Sequence, residues 1–370
     1  MTDTTHGARA EEIWILGAAG RIGRAVTADL AARGLSPVLV GRESDGDLLR
    51  RTAVDLGSRV VIAEGIDGIA AEITRQRPAV VFNGIGNYAA TAAVLARACM
   101  PGGHYLDLAA DLTAVPRLLD LGPEAERAGS TLVTGSGFGV LATEAVVITL
   151  CEGHPTPAAV RVDALASVSL SAGVVGAAFA ASMIDMFATG GRRYRDGRLV
   201  AARLGDEFQR LTLPDGEMAT SAGAPTAELI AAYRASGAPS VTVTTGMAPT
   251  SRVARAVAPL ARKLLSIETL RRFAVDQAAK ARMKESPAPR SHSWGHAVVT
   301  WPDGTSREGW LRAGDGMAYT ASVAAAVAAR LARGEGRPGA HTPGALFGAD
   351  LAEEAGGTLL VPGATDTARG

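Results

Sequence analysis

The chain has 370 residues, 47% hydrophobic, 20% charged and only 4% aromatic, with 37 Lys+Arg balanced by 37 Asp+Glu. This composition supports a large aliphatic core in two domains, and it excludes a disordered chain or a basic nucleic-acid binder. The two cysteines, Cys99 and Cys151, form no CxxC pair. That spacing points to neither a zinc framework nor a disulfide scaffold and suits a reducing cytoplasm.

Residues 1–10 are polar and lack the apolar core of a signal peptide. Residues 13–16 are an apolar run that reads as a buried strand. Gly17, Gly20 and Gly23 follow in the spacing GxxGxxG. Val26, Leu30 and Ala31 then repeat at helical period, and Gly34 offers a stop. Strand, glycine turn and helix are the setting of a dinucleotide-binding turn. One glycine allows positive φ, one lets the backbone approach a pyrophosphate, and one lets the helix pack on the strand. Ala19, Arg21 and Ile22 complete the turn and are expected to share in holding the cofactor.

Further strand-like runs lie at 37–40, 59–63, 79–82, 104–108 and 131–134. Helical patterns lie between them at 68–75, 89–100 and 114–128. This alternation predicts an α/β fold with a Rossmann-type, doubly wound parallel sheet. Ligands in such sheets bind outside the carboxyl ends of the strands, which directs attention to 41–42, 83–88, 107–111 and 135–139.

Arg42 follows the second strand directly. An NAD-specific protein places a carboxylate there, whereas a guanidinium pairs with a 2′-phosphate. The expected cofactor is therefore NADP, with Glu43 as the residue that would serve NAD. Asp67 either meets the adenine edge or caps the next helix. Asn83, Gly84 and Gly86 let the chain pass close to the ribose and pyrophosphate. Tyr88 is either a wall of the nicotinamide pocket or a packing residue.

Strand alternation puts Tyr105 and Asp107 on one face and His104 on the other. Asp107 is the best-placed ionisable group for the nicotinamide side, and His104 reads as structural. The loop of Ser136, Gly137 and Phe138 offers backbone N–H groups to the nicotinamide carboxamide, with Ser136 and Phe138 toward substrate.

The middle third changes character after Pro155 and Pro157. A strand at 160–171, hairpins around Asp196-Gly197 and Pro302-Asp303-Gly304, a turn at Pro214-Asp215-Gly216 and a strand at 240–246 predict a second, α+β domain. Its sheet would cap the cofactor cleft. Helices are expected from 251 to 284. Residues 168–186 read as strand, loop and buried helix rather than a membrane span.

Ser169, Ser171 and Tyr319 are the expected substrate-side residues, with Tyr319 and Tyr88 as proton donors alongside Asp107. His292 and His296 are spaced i to i+4, but Gly295 and Pro289 argue against a helix there, so no metal site is expected. An Ala-rich helix at 316–333 and a loop with a short helix at 341–360 are expected to return to the first domain. The division is thus 10–140, 141–315 and 316–362.

Four stretches resemble the saccharopine dehydrogenase-like oxidoreductases. They are GAAGRIG at 17–23; VVFNGIGNYAATAAVLARACMPGGHYLDLAAD at 80–111; VTGSGFGVLATEA at 133–145; and GGRRYRDGRLV at 190–200. The third departs from the family's Gly-Phe-Asp-Ser-x-Pro-x-Asp, with Gly139, Val140 and Ala142 in place of Asp, Ser and Pro.

The resemblance implies an NADP-dependent reductase of a small-molecule C=N or activated C=C bond. The alternatives are a non-catalytic NADP-binding redox sensor and a same-fold isomerase or cyclase without net redox turnover. No Tyr-x-x-x-Lys pair lies on an expected helix, which argues against short-chain dehydrogenase chemistry. The expected partners are a small-molecule substrate and a second copy of the chain, with neither nucleic acid nor membrane.

Overall fold

The computed structural model describes residues 12–169, 173–174, 177–248, 260–265 and 267–361. These divide into two compact units. One runs to Gly137 and resumes over Met317–Phe347; the other holds Phe138–Gly316 and the chain from Gly348.

The first unit is built on a parallel sheet. Its strands are β1 (Ile13–Leu16), β2 (Val38–Gly41), β3 (Val60–Ile62), β4 (Val80–Asn83), β5 (His104–Asp107) and β6 (Thr131–Val133). The order is β6-β5-β4-β1-β2-β3, with the late strand Gly339–His341 added parallel outside β6. β1 and β4 are buried along their whole length. That is why they read as unbroken apolar runs: a parallel sheet is covered on both faces.

The covering helices are α1 (Arg21–Ala32), α2 (Gly46–Leu56), α3 (Gly65–Gln76), α4 (Tyr88–Cys99), α5 (Ala114–Leu119) and α6 (Gly122–Arg127). α2 has no counterpart in the sequence reading. It buries only Gly46, Leu49 and Ala53, too thin a stripe to show against its charges. The single helix expected over 114–128 is two, because Pro123 in the first turn of α6 starts a new helix. The returning helix Gly316–Ala332 buries the run from Val323 to Ala329, and Ser322 Oγ donates to Asp29 of α1 at 2.6 Å.

The second unit opens with α7 (Phe138–Cys151), a helix with ten buried residues. β7 (Ala159–Leu165) and β8 (Gly173–Val174) come next, then α8 (Ala177–Thr189), and then β9 (Gly191–Arg195), β10 (Arg198–Ala202), β11 (Gln209–Thr212) and β12 (Met218–Gly223). They are followed by α9 (Glu228–Ser236), β13 (Ser240–Thr245), α10 (Glu268–Lys280), β14 (Arg282–Met283), β15 (Ser293–Thr300) and β16 (Ser306–Ala313).

The main sheet is mixed. β13 and β7 run parallel, and β7–β15 and β15–β16 run antiparallel. The β9–β10 hairpin turns at Asp196-Gly197, whose φ values of 51° and 71° fit a tight two-residue turn. α7 packs on this sheet at Gly295, where an added Cβ would sit 2.7 Å from Ala142 backbone.

One expectation is corrected here. Residues 316–362 do not all join the first unit. The strand Thr358–Leu360 pairs antiparallel with β16, so the last segment completes the second sheet. Its apolar residues are too few to distinguish an edge strand from a loop. The expected strand at 160–171 ends at Leu165. Of the helical stretch expected over 251–284, residues 251–259 and 266 lie outside the described residues, as does Ser171.

Candidate functional site

The glycine turn closes as its spacing requires. Gly17 has φ +73°, and its N–H and that of Ala18 donate to Val40 O across the β1–β2 crossing. A Cβ on Gly23 would lie 2.3 Å from Gly17 O, so the first turn of α1 sits directly on the β1 turn. A Cβ on Gly84 would lie 2.9 Å from Leu16 O, and Gly84 N–H donates to that oxygen. The ends of β1 and β4 therefore meet backbone to backbone.

That helix begins at Gly20 without a side-chain cap and with no acidic residue in its first turn. Of its leading N–H groups, that of Gly20 donates to Gly17 O at 2.9 Å, and those of Ile22 and Gly23 have no intrahelical acceptor by geometry. A cradle of small residues under an uncapped helix end fits a pyrophosphate.

Arg42 lies just past β2 with its side chain 66% exposed, held by Asp45 at 3.2 Å. Glu43 turns away to Arg50 at 3.2 Å, and its backbone N–H donates to Glu64. The carboxylate that would serve NAD is thus engaged elsewhere, while the guanidinium stands at the strand end. Asp67 sits in the first turn of α3, whose cap position is Glu64. Asp67 is therefore not the helix cap, and it is exposed.

A buried polar network joins the ends of β4, β5 and β6. Asn83 accepts the Ile85 N–H at 3.1 Å and donates to Thr91 Oγ1 at 3.1 Å and Tyr105 Oη at 3.0 Å. Tyr105 passes its own proton to Asp107 Oδ2 at 3.0 Å. Asp107 Oδ1 accepts from Ala109 N, Thr134 Oγ1 and Gly135 N at 3.0, 2.8 and 3.3 Å. Burial pushes the Asp107 carboxyl up to about 6, against four hydrogen bonds that favour the anion.

Asp107 has no accessible surface, and both its oxygens are engaged. It ties the loop after β5 to the loop after β6 and accepts from Tyr105 of its own strand. Asn83, buried in the same network, holds the turn at Gly84–Gly86 through the Ile85 N–H. Tyr105, Thr91 and Thr134 complete this network, and sequence reasoning did not assign them to the site. The usable signal was that Tyr105 and Asp107 share a strand face.

Tyr88 opens α4. Burial raises its phenol pKa, the Asp107 charge adds to this, and a hydrogen bond at the Leu108 backbone works against both. His104 sits at the other end of β5, where its Nδ1 accepts the Thr131 N–H at 3.0 Å.

The loop after β6 differs from expectation. Gly135 N–H donates to Asp107, Ser136 N–H to Asp107 O at 2.8 Å, and Gly137 N–H to Gly135 O at 2.7 Å. These backbone donors are engaged and do not await a carboxamide. Ser136 Oγ is different: it is buried and finds no partner among the described residues. Gly137 faces Thr320, whose Cγ2 would lie 3.3 Å from an added Cβ, and Tyr319 beside it is 4% exposed.

In the second unit, Phe138 opens α7 and is buried. Ser169 is exposed, its N–H donating to Asp315 at 3.2 Å. At Gly139 the carboxylate end of Glu228 fills the space a side chain would take, so a larger residue there requires Glu228 to shift. Glu228 is 6% exposed, and burial raises its pKa.

His292 and His296 go to separate partners. His292 Nδ1 lies 3.3 Å from Asp215, whereas His296 sits between Asp163 at 2.8 Å and Glu308 at 3.0 Å, stacked on Trp310. For Asp163, burial is outweighed by His296 and Arg161, and its pKa falls below the usual carboxylate range.

The parallel sheet, the glycine turn and the uncapped α1 define a Rossmann-type α/β fold, and the second unit carries a mixed sheet. Residues 13–133 match the family model of the saccharopine dehydrogenase NADP binding domain. The fold as a whole is similar to apo saccharopine dehydrogenase (L-Glu forming) from Saccharomyces cerevisiae. The TM-score is 0.57 at 12% identity, covering 93% of this chain and 96% of that one.

Short-chain dehydrogenases are matched only in part. The NADPH complex from Sphingobium yanoikuyae shows 18% identity over 33% of this chain and 70% of that one, at a TM-score of 0.27. The enzyme from Streptomyces avermitilis shows 18% identity over 33% and 64%, at 0.28. Both are too distant in shape to inform the fold. No curated protein matches the chain in sequence.

Proposed function

We propose that the protein is an NADPH-dependent reductase of a small molecule, acting on a C=N or activated C=C bond. The observation that carries this is the α1 cradle with Arg42 beyond β2: an uncapped, acid-free helix end over Gly17, Gly20 and Gly23, and a guanidinium where a 2′-phosphate falls. NADPH, when bound, supplies the hydride.

The chain's own residues then hold and shape. The N-terminus of α1 would hold the pyrophosphate, and Arg42, now paired with Asp45, would hold the 2′-phosphate. The Asn83–Tyr105–Asp107 network fixes the loops after β4, β5 and β6, where a nicotinamide would be expected. Ser136 Oγ, buried and unpartnered, is the hydroxyl left to a ligand. Hydride transfer to an imine needs little beyond positioning and exclusion of water.

Titration of both cofactors tests the reading. Wild type binds NADPH more tightly than NADH, and Arg42→Ala loses ~1.5–3 kcal/mol of NADPH affinity, roughly ten- to a hundredfold, with NADH unchanged. Equal affinity of wild type for the two cofactors would sink it.

A second reading, an NADP-binding sensor, is favoured by one observation: the ionisable group nearest the nicotinamide side, Asp107, is saturated. Turnover of NADPH with a panel of imines and enones separates the two. Tight NADPH binding with no oxidation by any of them supports the sensor.

A further inference from the structure

Charge in this neutral chain is not evenly spread. Residues 260–265 and 267–284 hold seven Lys and Arg against two acids, Glu268 and Asp276, with Glu268 paired to Arg271 and Arg272. The described part of this stretch also exposes large apolar side chains in a row. Leu260, Leu264, Ile267, Leu270 and Phe273 recur every three or four residues, with Leu260 60% and Phe273 63% exposed.

α10 within it buries no residue. Its half-buried positions 271, 274, 275, 278 and 279 form one helical face, and Arg271 pairs there with Asp185 of α8 at 2.6 Å. Leu270, Phe273, Gln277 and Lys280 lie on the opposite face and are all exposed. The apolar stripe is therefore not the side on which α10 docks to its own unit.

We infer that this arm is a docking surface for an anionic lipid bilayer, which it meets edge-on without entering. Leucine, isoleucine and phenylalanine in a stripe flanked by arginine and lysine suit the boundary between headgroups and acyl chains. There the apolar tips leave water and the cations meet phosphates. A second copy fits this face poorly. An isologous contact would set one cationic arm against another. No helix among the described residues is long and apolar enough to cross a membrane, so the contact is peripheral. The inference revises the sequence-based expectation of no membrane partner and is independent of the cofactor reading.

Flotation of the full chain with vesicles tests it. The protein rises with vesicles of mixed phosphatidylcholine and phosphatidylglycerol, not with phosphatidylcholine alone, and high salt releases it. Leu270→Asp with Phe273→Asp removes about tenfold or more of the binding, as does Lys280→Glu with Lys284→Glu. These side chains are exposed, so both double variants keep the wild-type circular dichroism and thermal transition. Absence of flotation by wild type, or flotation unchanged in both variants, overturns the inference. So does a dimer in light scattering that the Asp variant dissolves.

Discussion

At the scale of single residues, Asp107 carries a prediction of its own. Its carboxyl titrates at about 6 in the fold, against 3.8 for the free group, because burial disfavours the charge. The folded state therefore holds the proton more tightly than the unfolded chain does. The site's contribution is full below about pH 4, falls as pH rises through about 6, and is then lower by about 3 kcal/mol, at 1.36 kcal/mol per unit. Asp107→Asn removes that slope and keeps an acceptor for Ala109, Thr134 and Gly135. Urea unfolding at pH 4.5 and 6.5 checks this: the drop between the two is smaller in the variant than in wild type. An equal drop means that Asp107 is ionised throughout.

The contrast between Gly17 and Asp107 shows what was legible in the chain. Gly17, Gly20 and Gly23 work within seven residues of one another, and their spacing alone states the turn. Asp107 takes its partners from three other loci, Tyr105, Ala109 and the Thr134–Gly135 turn, so its saturation is a property of the sheet. Sequence order ranks it as the best-placed acid and cannot show that its lone pairs are taken.

Among elements, the contact of α7 with β15 leaves no room for a side chain at Gly295. Ala142 backbone stands 2.7 Å from the Cβ that Gly295 lacks, and both belong to rigid elements. Gly295→Ala forces helix and sheet apart and destabilises by ~1–3 kcal/mol, read as a lowered urea midpoint with an unchanged m-value. A midpoint equal to wild type would show that α7 slides freely.

The hairpins of the second unit were readable from their turns, since Asp-Gly at 196–197 and at 303–304 both mark reversals. α2 and the strand Thr358–Leu360 were not, because each offers only two or three apolar side chains to its neighbours. The exposed stripe on α10 was hidden for a different reason. Its apolar residues keep helical period whether they face inward or outward, and only the packing of α8 says which.

For the molecule as a whole, the strand Thr358–Leu360 closes the second unit, pairing Trp310 with Leu360 and Leu311 with Leu359. Truncation after Gly357 uncovers the edge of β16 and lowers the thermal transition of the second unit. NADPH still raises the transition of the first unit by mass action, because none of its cradle residues is lost. Calorimetry of the truncated chain with and without NADPH reads both effects. Loss of the NADPH effect would show that the cradle depends on the last segment.

The strand Gly339–His341 has a consequence in time. It lies beside β6, yet the ribosome makes His341 about 200 residues after its neighbour Val133. At roughly 5–20 residues per second, the nascent first sheet waits on the order of 10–40 s with that edge bare. During this interval the growing chain carries an unfinished strand edge of the kind that chaperones cover. The birth order of the polypeptide, more than the strength of any contact, then sets when the first unit is complete.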